Sequence, residues 1–318
     1  MTLQHPQRGL TLIELMVSSV IGLIALGAAG AVYLSGKTVY NNAEILGRLQ
    51  ENARFAATMI EDDLKHAGLY GLTASFANIT GTAVSGNPLV AASNDCDSSN
   101  FWYLRLDVPI EAYNNVNPFS DTCLDAGDYV NGSDVLAIRR TSTVASATWN
   151  GGTPGYSDSA GQVFLRSEVG RGALFVAPTT PVGSFANWSD FQYAVRVYYV
   201  SDKDDIRTLR TRNLRNYGNN PTFISREISS DVVDFQLELG VDLDGDGSPD
   251  RFVEPPSASN TALFNSIVAV RYWLLTRAER READLPMQTF TYAGKTVTSD
   301  DSFRRLLTSG TVFLRNAH

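Results

Sequence analysis

Histidine is almost missing from this chain: 318 residues hold only His5, His66 and His318. A zinc site or an imidazole acid–base group therefore has almost nothing to be built from. Cysteine is as scarce. Cys96 and Cys123 stand far apart in the sequence, a spacing that excludes a Cys-x-x-Cys redox pair. No Ser-His-Asp, Cys-His or metal-hydrolase spacing is legible, and no enzyme is expected. Positive charge is in deficit, with 26 Lys and Arg against 34 Asp and Glu and a net charge of −8. That balance argues against a surface that coats nucleic acid, though not against a local basic patch, and no nucleic-acid partner is expected. Internal repeats and low-complexity tracts are absent. Two local absences matter more. Charge is missing from Leu15 to Leu34, and proline is missing from Leu10 to Ala67.

The uncharged run is long enough to cross a bilayer as a helix, about 30 Å at 1.5 Å per residue. A secretory signal peptide has a shorter apolar core and ends at a small-residue cleavage site. A plain membrane anchor explains the length but not Glu14, an acid just inside the apolar stretch, where a buried charge is costly. A third reading accommodates both. If the chain is cut after Gly9, Leu10 becomes the first residue with a free amine, and Glu14 becomes the fifth. The carboxylate then lies about one turn from a positive charge, and in a helical bundle it could pair with the amine of a neighbouring copy. Loss of residues 1–9 removes Arg8 and no acid, which takes the side-chain charge to −9.

Gly9-Leu10-Thr11-Leu12-Ile13-Glu14-Leu15 resembles the class III signal of type IV pilin-like proteins. That resemblance implies cleavage after Gly9 by a prepilin peptidase and N-methylation of Leu10. Two features depart from the family pattern: Leu10 stands where Phe is usual, and the helix carries no internal proline. Past the apolar run, Val39, Ala43, Leu46, Ala53, Ala57, Ile60, Leu64 and Ala67 recur at helical spacings. This predicts one helix to about His66, with an apolar stripe from Val39 onward and Gly68 as its C-cap.

The expected organisation is a leader (1–9), a transmembrane and assembly helix (10–36) and an extracytoplasmic domain (37–318). Within that domain the divisions are an amphipathic helix (37–67), an irregular region (69–132) and a mainly β part (133–318). Residues 69–132 are rich in Asn, Ser, Gly and Asp, and Phe101–Val108 is among their few apolar pieces. Outside the cytoplasm Cys96 and Cys123 read as a disulfide, the alternative being two unpaired thiols. Strand signals follow at 134–143, 161–167, 173–177, 191–201, 206–213, 225–241 and 263–277, with 290–297 and 311–315 closing an antiparallel sheet. The fold class is α+β, a long helix packed on an antiparallel sheet. Arg207, Arg210, Arg212 and Arg215 form one basic cluster, and Arg271, Arg277, Arg280 and Arg281 another. Both read as solvated sheet faces rather than partner sites.

One stretch carries metal-site chemistry. Asp242-Leu243-Asp244-Gly245-Asp246-Gly247-Ser248-Pro249-Asp250 places alternate carboxylates on a tight loop, the pattern of a Ca²⁺ loop. Asp242, Asp244, Asp246 and Asp250 would supply carboxylates and Ser248 its carbonyl. An EF-hand would need a Glu at the twelfth position, where Val253 stands. The competing reading is an acidic turn between strands. This loop with the segment before it, Asn265–Leu275 and Phe303–Asn316 together resemble the PilW family of minor type IV pilins. The resemblance implies a structural subunit that waits in the inner membrane with its domain in the periplasm and then joins an extracellular fibre. There it would prime assembly with other minor pilins and the major pilin, at or near the tip and beside a large tip adhesin. The J-type minor pseudopilin of type II secretion is the alternative, and a DNA-uptake pilin a more distant one.

Overall fold

The fold was obtained as a computed structural model, which describes the chain apart from residues 1–8, 10, 86–87, 97–100, 120–122, 125–128, 149–155, 157–158, 182–184, 204–205, 283–284 and 317–318. Two compact units are distinguished, Met1–Arg48 and Leu49–His318. The first is helical. Helix α1 (Leu12–Lys65) begins in it, and its apolar side chains, among them Leu15, Leu23, Leu26 and Leu34, are exposed. Among the described residues it is the one helix long and apolar enough to cross a membrane.

In the second unit the apolar stripe of α1 starts at Leu49, not at Val39. Leu49, Ala53, Ala56, Ala57, Ile60 and Leu64 are buried, whereas Val39 and Leu46 are exposed. Small residues at 53, 56 and 57 let the helix approach closely what it packs on. Gly68 takes φ +75°, and its N–H donates to the Arg139 carbonyl, so the glycine ends the helix as expected.

The strands, in chain order, are β1 (Ile79–Thr80), β2 (Ile110–Tyr113), β3 (Val135–Thr141), β4 (Ala147–Thr148), β5 (Val163–Glu168), β6 (Arg171–Val176), β7 (Ser189–Lys203), β8 (Ile206–Tyr217), β9 (Asn220–Ser230), β10 (Val232–Val241), β11 (Arg251–Val253), β12 (Ile267–Arg281), β13 (Gln288–Tyr292), β14 (Lys295–Ser299) and β15 (Phe303–Phe313), with a short helix α2 (Thr261–Phe264) before β12. Among the described residues they form two sheets and a hairpin. The larger sheet runs β1-β6-β5-β7-β3-β2, with β4 beside β7 and β8-β9 added to the far half of β7. Strand β7 is long enough to serve both halves, pairing β5 through Phe191 and Gln192, β3 from Tyr193, and β8 from Arg196. Among the described residues β1–β6 is the one parallel pair of strands. The smaller sheet is antiparallel, β11-β10-β12-β15. One continuous core joins α1, the disulfide region and both sheets.

Several expected elements are corrected. Residues 225–241 are not one strand: Asp231 at φ +59° breaks them into β9 and β10, which enter different sheets. Residues 290–297 do not close the sheet but fold as the β13–β14 hairpin. Its turn uses positive φ at Ala293 and Gly294, and Tyr292 packs on Val233 and Leu275 of the smaller sheet. The segment 263–277 opens as α2, because the Asn260 side chain accepts from the Leu263 N–H and starts a helical turn. Trp102–Leu104 is a 3₁₀ turn with all three side chains buried. The rest of the irregular segment fits the expectation: among its described residues it holds a second 3₁₀ turn, Phe76–Asn78, and the two short strands β1 and β2.

Candidate functional site

The start of α1 is organised by a reciprocal pair. The Glu14 carboxylate accepts from the Thr11 N–H at 3.0 Å and from its hydroxyl at 2.9 Å, while the Glu14 N–H donates to the Thr11 hydroxyl at 3.3 Å. This is a capping box: the residue before the first turn and the acid three places later satisfy each other's open polar groups. The negative charge also lies at the positive end of the helix dipole. The signal was present as Thr-x-x-Glu, and the sequence reading passed over it. Gly9 lies just ahead of this cap and is exposed. Leu10 is outside the described residues.

The acidic stretch forms the loop of the β10–β11 hairpin, between Val241 and Arg251, which are paired. Gly245 and Gly247 take φ near +82°, and their N–H groups turn inward to the two oxygens of Asp242 at 2.7 and 2.8 Å. Asp250 accepts from the Leu243 N–H at 2.6 Å. These bonds gather one oxygen each from Asp242, Asp244 and Asp250 within 4.8 Å of one another. Asp246 is not brought into that group; its carboxylate accepts from the Ser248 N–H. The Gly247 N–H bond, with those of Gly245 and Asp246, holds the Asp242 carboxyl below its ordinary range. Asp244 accepts from the Asp246 N–H, which favours its charge. The carboxylates of Asp246, Asp250 and Asp242, with some burial, outweigh that bond and raise it. Like charges held this close are what a hard divalent cation relieves, so the donor set fits Ca²⁺. Glu254 is used elsewhere, accepting from the Asn114 side chain.

Cys96 and Cys123 are bonded to each other, and both are buried in the main core. The two basic clusters disperse. Arg207 pairs with Asp202, Arg210 with Glu227, Arg271 with Glu238 and Arg277 with Asp231. By register Arg210 and Arg212 lie on the face of Tyr199 and Val197, and Arg215 lies on the opposite face.

The buried polar residues escaped sequence reading. Asp63, inside the apolar stripe of α1, is fully buried and accepts from Arg140, Arg196 and the Tyr198 hydroxyl. Glu111 meets Arg139 at 3.0 Å and the Trp102 indole at 3.0 Å, all inside the core. The available signal for Asp63 was its place in the stripe, three residues after Ile60 and one before Leu64.

Residues 197–316 match the family described as Type IV Pilus-assembly protein W, and residues 4–30 match the Prokaryotic N-terminal methylation motif. No curated protein and no solved structure matches the chain. The first match spans the smaller sheet, the acidic loop and β8–β9, and the second spans the signal and the start of α1. Over these two segments the chain is similar to the PilW-like minor pilins of the type IV pilin kind.

Proposed function

We propose that this chain is a minor pilin, a structural subunit that primes assembly of a type IV pilus and stays at or near the fibre tip. The observation that carries this reading is Glu14, held at the entry of an exposed apolar helix five residues after the expected cut. Prepilin peptidase removes residues 1–9 and methylates Leu10. The helix keeps the subunit in the inner membrane, with the domain in the periplasm. On assembly the Glu14 carboxylate exchanges its Thr11 partner for the amine of an adjacent pilin, which sets the register between helices. Other minor pilins, the major pilin and a large tip adhesin are the partners. The direct test is Glu14→Ala, with cleavage followed by mass and incorporation by labelling sheared fibres. Cleavage should persist and incorporation should fall. Incorporation at the normal level would overturn the pairing.

The same reading includes Ca²⁺ held by Asp242, Asp244 and Asp250. The full chain in detergent should melt higher with calcium than with chelator, by roughly 2.7 kcal/mol in stability at a hundredfold excess over Kd. Asp244→Ala should abolish the difference. An identical melt with and without calcium leaves the loop as an acidic hairpin.

A further inference from the structure

A small recess of about 130 Å³ opens among β3, β7 and β8. Its walls carry Arg140, Arg196 and Arg215, with Gln192 and Asn213 between them. By register Arg196 lies opposite Asn213, two positions from Arg215, so these side chains share the face of the sheet on which Asp63 is met. Arg140 and Arg196 both lean on the single Asp63 carboxylate, at 2.7 and 2.9 Å. Asp62, 3.8 Å from Arg140 and mostly exposed, is the other acid near them. Arg196 reaches Asp63 through Nη1, with the Tyr198 hydroxyl bonded to the same carboxylate. Arg215 has no hydrogen bond or ion pair among the described residues. Its neighbours in charge are Arg196 and Arg226, and these, after partial burial, lower its pKa. Asn213 is 7% exposed. Its Oδ1 is taken by the Thr211 hydroxyl at 3.2 Å, which leaves its Nδ2 as a donor on the recess.

We propose that this recess is a binding site for one oxyanion, a carboxylate or a phosphate group. The donors there outnumber the acceptors, and the arginine charge exceeds what Asp63 and Asp62 supply. Like charges gathered on a concave wall are relieved by an anion that several N–H groups reach at once. The planar fork of a guanidinium suits either oxyanion in two-point contact. Asp63 fixes the back wall, orienting Arg140 and Arg196, while Arg215 closes the open side. The inference stands independently of the pilus reading.

The test is titration of the full chain in detergent, at constant ionic strength, with inorganic phosphate and separately with acetate, followed by calorimetry. Saturable binding is expected, weakened roughly tenfold or more in Arg215→Ala, the loss of one charge-assisted hydrogen bond. The melting temperature of that variant should stay at the wild-type value, because among the described residues the Arg215 side chain makes no hydrogen bond or ion pair. Arg251→Ala, an exposed arginine on β11, should bind as wild type. Binding of phosphate alone would assign the site to a phosphoryl group. Binding of acetate as well would assign it to carboxylates, including an acidic side chain of another protein. Failure of both anions to bind saturably, or binding untouched by Arg215→Ala, would overturn the proposal.

Discussion

A carboxylate at the centre of a helix–sheet contact is tolerable only with partners, and Asp63 has three. Removing it leaves two guanidinium groups facing one another across a buried gap, so Asp63→Ala should cost about 3–5 kcal/mol, read as a lower denaturant midpoint. A change under about 1 kcal/mol would mean that water already screens the pair. Asp134 is a different case. Burial is the largest influence on it, ahead of the bonds it accepts from the Asn115 and Leu237 N–H groups, and its pKa is pushed up to about 7. In the unfolded chain it titrates near 3.9. Between these values the folded protein holds the extra proton. The contribution of Asp134 is therefore complete below about pH 4 and is lost as pH rises to about 7, at roughly 1.4 kcal/mol per pH unit. Asp134→Asn should flatten that part of the stability–pH curve; an unchanged slope would assign it to other groups.

At the scale of elements, β12 and β15 meet at a tight point. Gly310 lies opposite Tyr272, and a Cβ placed on it would come within 2.6 to 2.8 Å of the tyrosine hydroxyl and ring. The Tyr272 hydroxyl donates to Glu61 of α1 at 2.7 Å, so the ring cannot move aside without losing its hold on the helix. Gly310→Ala should destabilise by about 1–3 kcal/mol. Pairing it with Tyr272→Phe in a double-mutant cycle should show coupling, and strict additivity would argue that the ring shifts freely. Sequence legibility differed between elements for similar reasons. Helix α1 was readable because its period repeats over many turns without proline. The boundary between β9 and β10 was not, because Ser229-Ser230-Asp231 is a turn signal of only three residues between two strand-forming runs, and the positive φ falls on an Asp rather than on a glycine. The acidic loop was legible as a carboxylate pattern. That Asp246 turns to the Ser248 N–H while Asp250 joins Asp242 and Asp244 was decided by the two strands that close the hairpin.

Across the whole globular unit, the disulfide and the shared core hold together segments that are remote in sequence. Cys96 and Cys123 lie 27 residues apart in a region with little regular structure. Closing such a loop contributes roughly 3–4 kcal/mol on the chain-entropy model. Cys96→Ser with Cys123→Ser should lower stability by about that amount, while far-UV circular dichroism keeps the strand signal of the two sheets. Loss of that signal would mean that the disulfide is required for the sheets to form at all.

Chain order and composition by themselves determined the apolar helix with its capped acid, the strand-rich second part and the carboxylate loop. Each depends on near neighbours, so spacing and residue type suffice. Tertiary structure alone decided how the strands divide between two sheets, that Arg140, Arg196 and Arg215 from three strands line one recess, and that Asp63 stands behind it. Those facts depend on register between distant segments and on which face each strand buries, and a shift of one residue would turn every one of these side chains to the other side.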